Sequence, residues 1–272
     1  MVHYVTDLIN AITQRIEQEY KNRQTATHNA WTLLTKLTER SKADLIVSET
    51  VSLTQEQENT LEQWLTDITQ EHKPLQYIIG SVPFLDAEIF VEPPIVIPRP
   101  ETEMWCHTLI ETLRRHDATR IRILDMCTGA GCIAVALAQA FPHAEIWAAD
   151  VSSHALELTH KNAQHNTVSL TYMQSDVFRY FTRDTKFDVI VSNPPYVSRE
   201  EWHDITPRIT QWEDPHALVA ADDGYAIIQE LITHAPSHLR TIAYDIPQLW
   251  IEIGYLQGNT AKQLYENAGF TN

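Results

Sequence analysis

Two consecutive prolines, Pro194 and Pro195, close the apolar run Phe187-Asp188-Val189-Ile190-Val191, and they constrain this chain more than any other feature. A run of that composition reads as a buried strand of a parallel sheet. Proline lacks a backbone N–H and has a locked φ, so two in a row neither extend a central strand nor sit inside a helix. The chain must leave the sheet at the strand's carboxyl end, where open α/β sheets bind their ligands. Asn193 and Tyr196 flank the pair. The Asn193 side-chain amide and the Pro194 carbonyl place two acceptors beside an aromatic ring, a set that suits a planar –NH2 group. The competing reading is a proline-stiffened surface turn.

The rest of the sheet is legible from residue 101 onward. Helix 103–115, strand Ile121–Met126, helix 130–140, strand Glu145–Ala149, helix 153–164 and strand Leu170–Gln174 precede strand Phe187–Ser192. A long loop, helix 224–235, strand Leu249–Ile253 and helix 259–268 follow it. Such alternation predicts an α/β fold, a Rossmann-like doubly wound parallel sheet with helices on both faces. The first 75 residues differ. Leu8, Ile12, Ile16 and Tyr20 form one apolar stripe, Trp31, Leu34 and Leu37 another, and Leu61, Trp64, Leu65 and Ile68 a third. Thr54 with Gln57 resembles a capping box opening the last of these helices. Between the two regions, Gln76–Gly80 and Ala87–Val91 are short β-prone runs punctuated by prolines. The expected plan is a helical domain over 1–75, a β-hairpin linker over 76–98 and a catalytic-type domain over 99–272.

Composition narrows the partners. The net charge of −16 works against binding a nucleic-acid duplex, which requires phosphates to be neutralised, and no Lys/Arg cluster occurs. No apolar stretch approaches the ~20 residues that span a bilayer, and the N-terminus lacks a basic-then-apolar signal. Cys106, Cys127 and Cys132 have no C-x-x-C spacing, which points to a reducing cytoplasm, and the scattered histidines predict no metal site.

The turn Cys127-Thr128-Gly129-Ala130-Gly131 follows the first sheet strand and opens a helix. Its small residues let a ligand approach the backbone and the helix N-terminus. The third glycine of a dinucleotide fingerprint is missing, so NAD fits poorly. Asp150 ends the second strand, where it either accepts ribose hydroxyls or caps the following helix. Asp176-Val177 closes the third, with Asp176 either holding an adenine amino group or capping the next segment. Phe178, Tyr180 and Phe181 read as core rings.

Together, Asp125–Gly131, Asp150, Asp176 and Asn193-Pro194-Pro195-Tyr196 resemble the S-adenosylmethionine-dependent methyltransferases that modify exocyclic or amide nitrogen. Gln76–Gly80, Phe84, Ile97–Glu103, Glu213–Leu218, Asp223-Gly224 and Glu252-Ile253-Gly254 with Gln257 are similar to the peptide chain release factor N5-glutamine methyltransferases, the HemK/PrmC group. The resemblance implies S-adenosyl-L-methionine held by Cys127–Gly131, Asp150, Asp176-Val177 and Asn193. It implies that the substrate is the glutamine of the Gly-Gly-Gln loop of class I release factors. Asn193 and Pro194 would grip that amide, with Pro195 stiffening the turn and Tyr196 packing against it. A cytoplasmic monomer, with no direct nucleic-acid contact and no membrane attachment, is the expectation.

There are two departures. Cys127 stands where that group most often has glycine, a variant resembling the methyltransferases of ribosomal protein L3, whereas Arg99–Glu103 favours the release factor group. Members of the group also continue past a Gly-Phe like Gly269-Phe270 into two further strands, so the C-terminal strands are expected to be missing and the fifth strand to lie at an edge. L3 glutamine methylation, DNA adenine-N6 methylation and an inactive cofactor-binding protein remain the alternatives.

Overall fold

The apolar stripes before residue 75 form helices because each keeps one face dry. In the computed structural model, which describes residues 1–116, 120–242 and 246–270, the chain divides into two compact units. The first comprises Met1–Gly80 with Pro207–Trp212, the second Ser81–Thr206 with the residues from Glu213 onward.

The first unit holds helices α1 (Val5–Tyr20), α2 (Arg23–Thr38), α3 (Lys42–Ser48), α4 (Gln55–Thr69) and α5 (Leu75–Ile79). Ile12, Ile16, Leu33, Leu34, Leu65 and Ile68 are buried in one cluster. The box at Thr54 and Gln57 is formed, each side chain accepting the other residue's backbone N–H. Two short strands, β1 (Val2–Tyr4) and β2 (Thr50–Ser52), pair antiparallel. The segment Pro207–Trp212 packs here through Arg208, whose guanidinium donates to Glu19 at 3.0 Å and lies over the Tyr20 ring, and through Trp212, whose indole N–H donates to the Glu71 carbonyl.

One expectation fails here. Gln76–Gly80 is not a strand but most of α5, ended by Gly80 at φ +84°. Pro74 opens the turn and a left-handed glycine closes it, while Leu75 and Tyr77 are buried. Leu75, Ile78 and Ile79, at i, i+3 and i+4, pack on the core of the first unit, and that helical face outweighs the β-propensity of Tyr and Ile.

In the second unit, β3 (Ser81–Phe84) and β4 (Ala87–Phe90) form the hairpin. Helix α6 (Pro100–Arg115) precedes the sheet strands β5 (Arg122–Met126), β6 (Glu145–Asp150), β7 (Thr171–Gln174), β8 (Val189–Ser192) and β9 (Leu249–Ile251). Their spatial order is β7-β6-β5-β8-β9, every pair parallel. This is the expected doubly wound sheet, and among the described residues β9 is an edge strand. Thr271 and Asn272, the end of the sequence, lie outside the described residues.

Helices α7 (Cys132–Ala140) and α8 (Ser153–His165) cross over between β5, β6 and β7. Two asparagines one turn apart at the end of α8 serve β4 as an extra hydrogen-bonding edge. Asn162 receives the Phe90 N–H at 2.7 Å and donates to the carbonyls of Phe90 and Ala130. Asn166 receives the Glu88 N–H and donates to the Glu88 carbonyl.

Phe178 and Phe181 join the core beside Phe187 and Leu231 as expected. Tyr180 does not: it is 64% exposed. The Phe181 N–H closes a tight turn onto the Phe178 carbonyl, which puts 178 and 181 on one side and 180 on the other.

Candidate functional site

Register brings the site together. Met126 at the end of β5 lies opposite both Ala149 on β6 and Ser192 on β8, so three strands end at one level. The strand order reverses at β5, the switch point where such sheets open a crevice. A cleft of about 430 Å³ occupies that place, within the second unit. Its wall includes Cys127, Thr128, Gly129 and Ala130 from the turn, Asp150, Asp176 and Val177 from the neighbouring strand ends, and Asn193 through Tyr196.

The turn is shaped by left-handed backbone at Cys127 (φ +60°), Gly129 (φ +57°) and Gly131 (φ +80°). A side chain at Gly129 would project into open space. Gly131 is absent from the cleft wall. A Cβ there would stand 2.5 Å from Thr159, whose hydroxyl donates to the Gly129 carbonyl, so its role is close packing of turn against helix. Cys127 adopts a conformation costing a non-glycine residue about 1–2 kcal/mol, which accounts for a preference for glycine at such a position. Burial, and then the negative charge of Asp150, push its thiol well above the ordinary range.

Beneath the turn, Asp125 is fully buried. One carboxyl oxygen accepts the Thr128 hydroxyl at 2.6 Å and the Ala134 N–H at 3.1 Å, while the other has no partner among the described residues. Burial pushes this carboxyl up to about 7.

Asp150 links the turn to the next strand. Its Oδ2 accepts the Gly129 N–H at 2.9 Å and its Oδ1 the Ser152 N–H at 2.9 Å. The cap of α8 is Ser152, not Asp150. A carboxylate has about four acceptor positions, so capacity remains for a ligand hydroxyl. Burial raises the Asp150 carboxyl above the ordinary range, and the backbone donors oppose that. The Asp176 side chain is exposed at the rim and Val177 is buried behind it.

At the end of β8, Ser192 donates to the Met126 carbonyl at 2.7 Å, tying the two strand ends. The Asn193 Nδ2 donates to the Thr102 hydroxyl at 3.0 Å. Thr102 donates to Glu252 Oε2 at 2.6 Å, the Trp105 indole N–H donates to the same oxygen at 2.8 Å, and the Tyr196 hydroxyl donates to Oε1 at 3.1 Å. Burial and then the Glu252 charge raise the Tyr196 phenol. At the start of α6, just before Thr102, Arg99 pairs with the buried Glu213 at 2.5 Å. Burial raises that carboxyl and the guanidinium opposes it.

Every cofactor or substrate residue expected from the sequence, except Gly131, therefore faces one cleft. Trp105 carries no signal of its own in the sequence, and Thr102 and Glu252 stand only within the stretches similar to the family. Their partnership joins positions 150 residues apart, and no local pattern signals it.

Residues 7–80 match the family described as the PrmC N-terminal domain, and residues 90–212 match the methyltransferase small domain. A release factor glutamine methyltransferase of Streptococcus pneumoniae is 36% identical over 230 residues, covering 83% of this chain and 77% of that protein. One from Lactococcus lactis is 36% identical over 205 residues, 74% of this chain and 73% of its own. A third, from Flavobacterium psychrophilum, is 35% identical over 234 residues, 85% of this chain and 80% of its own.

Proposed function

The chain belongs to the release factor glutamine methyltransferases, and on that premise we propose that it methylates N5 of the glutamine in the Gly-Gly-Gln motif of a class I peptide chain release factor. The observation that carries the proposal is the Asn193–Tyr196 corner standing on the same cleft as the Gly129–Asp150 pair.

The residues present fit S-adenosyl-L-methionine. The Asp150 carboxylate has acceptor capacity left for a ribose hydroxyl, the missing side chain at Gly129 leaves room against the turn, and Asp176 lines the same cleft with a carboxylate that would accept from an adenine amino group. When bound, S-adenosyl-L-methionine supplies an electrophilic methyl group on a sulfonium.

An amide nitrogen is a poor nucleophile because its lone pair is delocalised into the carbonyl. Asn193 Oδ1 and the Pro194 carbonyl accept its two N–H groups and stabilise the positive charge that grows on nitrogen. Preorganised acceptors of this kind contribute about 3–4 kcal/mol. Pro195 holds the backbone of the corner and Tyr196 lines the slot for the glutamine side chain. No strong base is required, because the nitrogen becomes acidic once alkylated and releases its proton to water.

The first unit, Met1–Gly80 with Pro207–Trp212, is assigned to holding the protein substrate and the second to methyl transfer, and the stretch 76–98 expected as a linker is divided between them at Gly80. We place the protein in the cytoplasm as a monomer without direct nucleic-acid contact, in keeping with its three free cysteines and net charge of −16. Among the described residues no helix is long and apolar enough to cross a membrane.

The test is mass spectrometry of a release factor after incubation with the protein and S-adenosyl-L-methionine. One added methyl on the Gly-Gly-Gln glutamine is expected, and Asn193→Ala should lower turnover by about 100-fold or more. Methylation of ribosomal protein L3 or of DNA instead would overturn the assignment, and an active Asn193→Ala would overturn the acceptor pair.

A further inference from the structure

We infer that Glu252, acting through Thr102, sets the direction in which the Asn193 side-chain amide faces, and so makes its carbonyl oxygen rather than its NH2 the group presented to the substrate. The inference deepens the proposed reaction and rests on the Asn193 role stated there.

The two ends of a side-chain amide have nearly the same shape, and only their hydrogen-bond partners distinguish them. The partners here have a definite polarity. Glu252 follows β9, and its backbone N–H donates to the Ser192 carbonyl at 2.9 Å, which seats it beside the residue preceding Asn193. Its carboxylate only accepts, and the Trp105 indole only donates. Oε2 therefore receives both the Trp105 N–H at 2.8 Å and the Thr102 O–H at 2.6 Å. A hydroxyl has one hydrogen, and that of Thr102 is spent on Glu252. Toward Asn193 it has lone pairs alone, so Asn193 turns its Nδ2 to Thr102 at 3.0 Å. Thr102 is 1% exposed, which leaves water little access to substitute for it. With Nδ2 engaged, Oδ1 is the free end of the amide.

Remove the acceptor at 252 and the polarity is lost. The Thr102 hydrogen is then free to point at Asn193, the amide can turn over, and an N–H faces the N–H of the substrate amide. The substitutions E252Q and E252L differ in this respect. Trp105 requires an oxygen at its end, so the side-chain amide introduced by E252Q keeps its oxygen toward Thr102 and Trp105 and directs its NH2 to the Tyr196 oxygen. Polarity at Asn193 survives although the charge does not.

The test compares E252L, E252Q, T102V and T102S, each checked for folding by thermal unfolding. E252L and T102V should lower kcat for release factor methylation by about 30-fold or more, with S-adenosyl-L-methionine affinity by calorimetry held within about threefold. T102S and E252Q should recover to within about fivefold of the parent, and E252L/T102V should cost no more than either change alone. The Asn193 side-chain 15NH2 resonances, assigned by their loss in N193A, should shift in T102V and E252L and hold in T102S and E252Q, whether or not a release factor is methylated. If the resonances are unmoved in T102V, or E252Q loses as much kcat as E252L, the inference is overturned. If the resonances follow the pattern while the parent methylates no release factor, the proposed reaction fails and the relay stands.

Discussion

The Gln257 side chain holds the backbone of Tyr196: its Nε2 donates to the Tyr196 carbonyl at 2.9 Å while its Oε1 receives the Gly254 N–H at 2.8 Å. Gln257 is 6% exposed, so this amide acts as an internal brace between the loop after β9 and the double-proline corner. Gly224 lets the brace fit, since it adopts φ +87° and a Cβ on it would stand 2.1 Å from the Tyr196 carbonyl oxygen.

Gly224→Ala should therefore displace the corner as well as strain the backbone. We expect a loss of about 2 kcal/mol or more in unfolding free energy, measured by urea denaturation. Methyl transfer should fall more steeply than cofactor affinity, because the overlap is with Tyr196 and not with the glycine turn.

Asp150→Asn keeps the shape of the side chain but replaces one acceptor with a donor. One of the N–H groups of Gly129 and Ser152 then loses its partner, and a ligand hydroxyl loses a charged one. S-adenosyl-L-methionine affinity should weaken by about 10- to 100-fold in calorimetry, the range expected for a hydrogen bond to a charged group.

Asp125 makes stability depend on pH. Its buried carboxyl is pushed up to about 7 in the folded chain, against about 3.9 when unfolded. The folded state thus holds the proton more tightly, and its contribution is full below pH ~4 and lost as pH rises toward ~7. Stability of the parent should decline between about pH 4 and 7 relative to Asp125→Asn, which cannot ionise, and level off above that. Thermal midpoints of the two proteins across that range give the comparison, and parallel curves would refute it.

Asn162→Ala removes three bonds at once, to both polar groups of Phe90 and to the Ala130 carbonyl. Leaving those groups buried and unpaired should cost about 2–4 kcal/mol. Amide hydrogen exchange should quicken first at Phe90, which would show that the hairpin loosens before the sheet.

Much of this protein is legible one stretch at a time. Apolar spacing marks the helices and the parallel strands, and the breakers mark where they stop, because periodicity and backbone sterics act over a few neighbouring residues. The cleft residues Gly129, Asp150 and Asn193 are readable for the same reason, each standing just past a strand whose end its neighbours announce. The exceptions are instructive. Gln76–Ile79 has strand chemistry yet is helical, since a helix puts Leu75, Ile78 and Ile79 on one face against the core of the first unit. Gly131 looks like a ligand contact and instead makes room for Thr159.

What the chain's local chemistry left open is which distant side chains share a proton or a lone pair. Glu252 meets Thr102, Trp105 and Tyr196 only because parallel pairing of β5, β8 and β9 brings their carboxyl ends to one level and α6 passes beside them. Sheet register is a property of the assembled core, and polarity within a buried network belongs to all of its members together.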